Sequence, residues 1–137
     1  MIISGFFKNG CAFIQSHLVS PKMSLNKMVS FLVDTGASRT VISDRDAKLL
    51  TIDYEKLRKS SEELTGIGGS IETYILDDTV LILKTDTGQL EIKLPILFMK
   101  HNLEIMKEGH LKKLFLLCIL ILMNIYVSIT VSFSRLQ

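Results

Sequence analysis

The octet FLVDTGAS at residues 31–38 decides how this chain folds. Three apolar residues lead directly into Asp34, and the hydroxyl residue Thr35 and then Gly36 follow. This order is typical of a buried strand that ends in a tight loop, because Thr35 can hydrogen-bond to the backbone and Gly36 permits angles that a Cβ would forbid. A carboxylate at the end of an apolar strand is costly unless it is paired or hydrogen-bonded. Asp34 is therefore a candidate functional residue.

The composition predicts one folded domain. The 137 residues are 47% hydrophobic and carry a net charge of +2, so the chain suits one core and is too short for two domains. The low charge argues against disorder and gives no electrostatic basis for nucleic-acid binding. Cys11 and Cys118 do not form a close pair, so we predict no metal site and two unpaired, mostly buried thiols. The first seven residues lack the pattern of a secretory signal, and we expect a cytoplasmic protein.

The apolar runs on both sides of the octet are spaced like β-strands. Asn9 and Gly10 separate the runs 2–7 and 11–18, which is a strong hairpin signal. Residues 28–33 form the strand that delivers the carboxylate. Beyond the octet the sequence predicts strands at 71–76, 79–84 and 90–98, and the proline in the last one indicates a bend or a sheet edge.

A glycine-rich segment follows a polar connection at 49–63. Its tip consists of Gly66, Ile67, Gly68 and Gly69 between apolar flanks. Such a tip favours a mobile hairpin, because glycine has the largest conformational freedom. The spacing fits neither a P-loop nor a dinucleotide fingerprint.

Over residues 1–105 these features resemble the retropepsins, the single-domain aspartic proteases of retroviral type. The octet resembles their active-site loop, and the glycine-rich hairpin resembles the flap that closes over their substrate. The resemblance implies a mainly β, closed barrel-like acid protease fold with a short helix. It implies a strand at 40–43 directly after the loop and the short helical turn at 44–50. It also implies a catalytic loop of Asp34, Thr35 and Gly36, supported by Ala37 and Ser38.

The same resemblance implies an aspartic endopeptidase that acts as a homodimer. One chain with one such loop cannot place two aspartates together, whereas a two-fold axis brings Asp34 against its copy. As in aspartic proteases generally, the two carboxylates share a proton, so that one activates a water and the other hydrogen-bonds the scissile carbonyl. Thr35 would hydrogen-bond across the axis, and residues 66–69 would bind an extended peptide or protein substrate. The mechanism needs no metal and no cofactor.

A second Asp-Thr-Gly occurs at residues 86–88. It is preceded by Lys84 and Thr85 and not by an apolar strand end, and no pair of small residues follows it. We therefore predict a hairpin turn here and not a second catalytic loop.

Residues 106–137 form an atypical apolar tail, with charges at 107–108 where retropepsins have apolar residues. Three interpretations of the tail stay open. The 20 uncharged residues 114–133 are long enough for a membrane helix, and the lysines before them would keep the protease domain in the cytoplasm. The alternation at 125–133 fits instead a core helix followed by a strand of the dimer sheet. The tail could also result from a frameshift near residue 105. Its departure from the family favours an alternative function, a catalytically inactive peptide-binding or assembly module.

Overall fold

Twelve strands and one short helix make up the described residues of the computed structural model, which are 1–34, 39–62, 64–66, 69–100, 115–118 and 130–135. The strands are β1 (Ile2–Lys8), β2 (Cys11–Ser20), β3 (Leu25–Asp34), β4 (Val41–Ile42), β5 (Arg58–Lys59), β6 (Leu64–Gly66), β7 (Gly69–Leu76), β8 (Val80–Thr85), β9 (Gly88–Lys93), β10 (Ile96–Lys100), β11 (Phe115–Cys118) and β12 (Thr130–Arg135). The helix α1 spans Asp44–Leu49, and a 3₁₀ turn spans Tyr54–Lys56. The predicted mainly β class with a short helix is confirmed.

The order of the strands is β12-β1-β8-β2-β3-β11-β4-β10-β7-β5, with β9 beside β8 and β6 beside β7. In the described residues this path has β12 at one end and β5 at the other, so closure into a barrel stays a prediction. The start of strand β2 pairs with β1, and its end pairs with β8.

The first hairpin forms where the sequence predicts it. Asn9 has φ of 52° and Gly10 has φ of 78°, and a two-residue type I′ turn requires both values to be positive. Lys8 and Cys11 face each other directly beyond this turn. Cys11 is free and exposed, so the prediction that it is buried is wrong. Its place at the tip of a hairpin, outside the core, explains the difference.

Strand β3 lies between β2 and β11. It pairs with β2 in an antiparallel ladder from Phe13 opposite Leu32 to Ser20 opposite Leu25. Parallel pairing with β11 sets Leu116 beside Leu32 and Cys118 beside Asp34. The strand that carries the candidate residue is therefore an interior strand of the sheet.

The core is built mainly from one face of the strands. Its largest fully buried side chains are Phe31, Phe98, Ile3, Ile14, Leu18, Ile42, Leu76, Leu81, Leu83 and Ile96. A smaller cluster of Val41, Leu97 and Met99 lies on the other face of β4 and β10. Successive residues of a strand point to opposite faces, so β10 is buried on both sides. The predicted strand at 90–98 is in fact two strands, β9 and β10, separated by Leu94 and Pro95.

The second Asp-Thr-Gly is a structural turn, as predicted. Thr85 and Gly88 are the last pair of the β8–β9 ladder, and Gly88 has φ of 147°. The Asp86 carboxylate accepts a hydrogen bond from the Ile2 amide at 2.8 Å, and the Asp86 amide donates to the Ile2 carbonyl at 3.0 Å. This turn therefore holds the start of β1 against the sheet.

Two strands of the tail join the same sheet. Strand β12 pairs in parallel with β1, and β11 pairs with β3 and β4. Most of the predicted membrane segment 114–133 lies outside the described residues. In the part of the chain that the structure describes, no helix is long and apolar enough to cross a bilayer. The division into a domain at 1–105 and a tail at 106–137 stays a prediction.

Candidate active site

Asp34 is the last residue of β3 and is half-buried. Phe31, three residues earlier, is fully buried and fixes the strand in the core. Backbone pairing with β11 continues to Asp34 itself, so this residue is held by the sheet up to its last position. The catalytic and supporting residues predicted next, Thr35, Gly36, Ala37 and Ser38, lie outside the described residues.

The chain is also fixed where it leaves the loop. Thr40 is buried, and its carbonyl accepts a hydrogen bond from the Leu97 amide at 3.1 Å. Strand β4 then lies between β11 and β10. Since β11 separates β3 from β4, the two arms of the loop are two strand spacings apart, about 10 Å. Strand β11 of the tail thus pairs with the strands on both sides of the loop, β3 and β4.

The glycine-rich hairpin consists of β6 and the first part of β7. Gly66 and Gly69 form its last backbone pair, whereas Ile67 and Gly68 lie outside the described residues. Residues 72–76 of β7 pair with β10, but residues 69–71 pair with β6. The structure thus has a hairpin where the sequence predicts one, and in the described residues this hairpin extends beyond the main sheet.

The base of this hairpin is tied to the chain before it. The Thr73 hydroxyl donates to the Glu62 carbonyl at 2.5 Å, and the Ser60 amide donates to the Thr73 carbonyl at 2.9 Å. The Glu62 amide donates to the Ser60 hydroxyl at 3.0 Å. The Glu62 carboxylate in turn accepts two hydrogen bonds from Arg39, at 3.2 and 2.6 Å. Sequence reasoning missed this ion pair, which joins residues 23 positions apart.

Two further contacts fix β7. Lys59 of β5 binds Glu72 at 3.2 Å, and this hydrogen bond and charge lower the pKa of Glu72 and raise that of Lys59. Tyr54 packs edge-on against Tyr74, with ring centroids 5.4 Å apart.

Tyr54 also anchors the end of β10. Its hydroxyl donates to the Met99 carbonyl at 2.8 Å, and the Lys100 ammonium lies 5.7 Å from its ring centroid. Burial raises the pKa of Tyr54 well above its usual value, with a smaller contribution from the negative charge of Asp44. The hydroxyl is therefore a firm hydrogen-bond donor at neutral pH.

No group of three metal-ligating side chains occurs within the described ranges. The described carboxylate of the candidate site is that of Asp34.

A comparison with known protein families identifies the family of this chain. A family model described as gag-polyprotein putative aspartyl protease matches residues 23–105. That range contains Asp34, the helix α1, the glycine-rich hairpin and β10. The chain belongs to this family. The resemblance that the octet indicates is thereby confirmed.

Solved structures show the fold of this family member. The chain is similar to EIAV protease complexed with the inhibitor HBY-793, with 18% identity over 82% of this chain and 86% of that one, and a TM-score of 0.50. It is similar to a retropepsin-like aspartic protease from Rickettsia conorii, with 21% identity, coverages of 83% and 80%, and a TM-score of 0.51. No curated protein matches. These likenesses show a retropepsin fold for this chain.

Proposed function

We propose that this chain is an aspartic endopeptidase that hydrolyses peptide bonds as a homodimer. The observation that carries the proposal is the position of Asp34 at the end of an interior strand, half-buried and within the family match. A carboxylate held rigidly at the start of a loop can be presented to a two-fold copy with little conformational freedom to lose.

In the dimer, Asp34 and its copy share one proton. Two carboxylates in contact cannot both ionise cheaply, so they titrate as a coupled pair, as is known for aspartic proteases. The ionised member takes a proton from a water molecule, which attacks the scissile carbonyl carbon. The protonated member hydrogen-bonds the carbonyl oxygen as negative charge develops on it. The tetrahedral intermediate then collapses: the C–N bond breaks, the carboxyl pair gives a proton to the leaving amine nitrogen, and one shared proton is left on the pair.

The substrate class is an extended peptide. The hairpin of β6 and β7 extends beyond the main sheet, and its backbone can pair with a main chain laid beneath it. We propose Gly66, Ile67, Gly68 and Gly69 as the substrate-covering residues, with Thr35 and Gly36 completing the catalytic loop and Ala37 and Ser38 supporting it.

The chain offers its own matched control for a test. Asp34→Asn removes the charge that activates water and should lower kcat about a hundredfold to ten-thousandfold on a peptide library. Asp86→Asn makes the same change in the second Asp-Thr-Gly, where an amide oxygen still accepts the Ile2 hydrogen bond. It should leave kcat unchanged.

Equal activity of wild type and Asp34→Asn, in a preparation that cleaves peptides, would disprove the proposal. A wild type that binds a pepstatin-type inhibitor but cleaves nothing would point to the alternative, an inactive peptide-binding or assembly module. The sequence at 106–110, where charges replace apolar family positions, is the observation that favours this alternative.

We further propose that the protein acts in the cytoplasm. In the cytoplasm the chain is either free or held to a membrane by residues 114–133, and an anchor predicts that the full-length chain sediments with membranes. Cell fractionation of the full-length chain separates the two, since a chain found in the soluble fraction has no anchor.

A further inference from the structure

We propose that the ion pair between Arg39 and Glu62 is a latch that holds the glycine-rich hairpin against the exit of the Asp34 loop. We call this pair the hairpin latch. Arg39 and Glu62 are then positioning residues, which set how readily the hairpin closes over a peptide. This role rests on the proposed endopeptidase function, but the opening of the hairpin can be measured without it.

At both ends of the latch, the backbone is hydrogen-bonded to a strand of the sheet. Arg39 comes five residues after Asp34 and directly before Thr40, whose carbonyl binds the Leu97 amide of β10. Glu62 comes two residues before β6, and its own carbonyl binds the Thr73 hydroxyl. A movement of the hairpin base relative to the loop exit must therefore change the distance between these two side chains.

The geometry of the pair is specific. The Arg39 Nε atom donates to Glu62 Oε2 at 3.2 Å, while Nη2 donates to Oε1 at 2.6 Å. A planar guanidinium that binds both oxygens of one carboxylate fixes their relative orientation more tightly than a single contact does. The latch thus restrains rotation of the hairpin base as well as its distance.

The exposure of the pair suits a contact that opens and closes. The Arg39 and Glu62 side chains are 55% and 44% exposed. Water can solvate both charges when they separate, so breaking the pair is cheap. A fully buried pair would leave uncompensated charges and would hold the hairpin shut.

A second ion pair beside the latch joins two strands that are already paired through their backbones. Arg58 binds Asp77 at 3.2 and 3.4 Å, and both ion pairs line one groove of about 270 Å³ together with Ile75 and Leu97. Arg58 lies in β5 and Asp77 directly follows β7, and these strands already share backbone pairing. Because this backbone pairing already holds the two strands together, the Arg58–Asp77 pair adds little restraint. It is therefore the matched control.

The first test measures hairpin opening by hydrogen exchange of the amides in residues 64–66 and 69–76. Arg39→Gln should speed this exchange by about two- to fivefold, the range for an exposed ion pair. Arg58→Gln should leave the exchange of residues 64–66 unchanged. The reversed pair, Arg39→Glu with Glu62→Arg, should return exchange to the wild-type rate.

The second test measures peptide cleavage. Arg39→Gln should raise KM by about two- to fivefold with kcat unchanged, because substrate and transition state need the same closed hairpin. The reversed pair should restore KM. Raising the salt from about 0.1 M to about 1 M should raise KM of the wild type and not of Arg39→Gln, since salt screens exposed charges.

The two tests separate the latch from the function on which it rests. If the hairpin amides of Arg39→Gln exchange at the wild-type rate, the latch is overturned. An equal acceleration of their exchange in Arg58→Gln would also overturn it, and so would a reversed pair that fails to restore the wild-type exchange rate. A wild type without cleavage overturns the endopeptidase proposal, while the exchange experiment still decides whether the latch exists.

Discussion

Ser43 and Asp46 show at the residue scale how the segment after the Asp34 loop is fixed. The Ser43 hydroxyl accepts a hydrogen bond from the Asp46 amide at 3.3 Å and donates to the Asp46 carboxylate at 3.0 Å. Ser43 thereby caps the N-terminus of α1, and the acidic Asp44 and Asp46 lie in its first turn, where the helix dipole favours negative charge. A six-residue helix is too short to be stable alone, so this cap and the buried Ala47 hold it in place.

Ser43→Ala should therefore lower the free energy of unfolding by about 1 kcal/mol, because the helix loses its cap. The matched control is Lys48→Ala in the same helix. Lys48 is exposed, and its loss should change the free energy by less than about 0.5 kcal/mol. Urea unfolding of the two variants measures the difference. Equal stability of Ser43→Ala and wild type would show that the cap contributes nothing.

At the scale of elements, Tyr54 connects the 3₁₀ turn to the end of β10. Its hydroxyl binds the Met99 carbonyl, and its ring packs against Tyr74 of β7. Lys100 lies over both rings, at 5.7 and 5.8 Å from their centroids, where a cation is attracted to the aromatic faces. Three segments that are distant in sequence are therefore joined at one point.

This arrangement predicts a stability effect that depends on pH. The pKa of Tyr54 is raised above its usual 10.0, chiefly by burial. Its contribution to stability is thus fully present below pH 10 and is lost as the pH rises further. Tyr54→Phe should destabilise the protein by about 1 kcal/mol at neutral pH, because the Met99 carbonyl loses its donor.

The difference in the free energy of unfolding between wild type and Tyr54→Phe should then shrink above pH 10, since the variant has no hydroxyl to ionise. Urea unfolding of both proteins below and above pH 10 measures this. Tyr74→Phe serves as control, since its hydroxyl makes a long contact of 3.4 Å to Glu72 in an exposed position. A difference in the free energy of unfolding between wild type and Tyr54→Phe that grows above pH 10 would contradict the role assigned to the Tyr54 hydroxyl.

Local signals in the sequence predicted the elements better than the contacts between them. Turn chemistry fixed the hairpin at Asn9 and Gly10 and the turn at 86–88, because positive φ values need particular residues. The apolar run before Asp34 predicted its place at a strand end. The Arg39–Glu62 pair carries no comparable local signal, since its position depends on how the hairpin base is set against the loop.

At the scale of the whole molecule, the described tail strands complete the sheet around the candidate site. Strand β11 lies between β3 and β4, and β12 pairs with β1. A chain that ends after residue 105 lacks both strands, so β3 loses one neighbour beside Asp34.

We therefore predict that the full-length chain is a dimer and that truncation after residue 105 abolishes both dimer and cleavage. Light scattering coupled to size-exclusion chromatography measures the first effect, and a peptide assay measures the second. A full-length chain that is monomeric at every concentration and still cleaves peptides would contradict the dimeric mechanism. A truncated chain that cleaves normally would show that the tail has no part in the site.

The parallel pairing of Cys118 with Asp34 has a consequence for synthesis in the cell. A ribosome produces about 5–20 residues per second and releases the N-terminal part of a chain first. The strand that ends in Asp34 therefore emerges seconds before the strand that completes its surroundings. A nascent chain that has not yet exposed residues 115–118 lacks the strand that pairs with β3 and β4, so the proposed active site becomes complete only after that segment has left the ribosome.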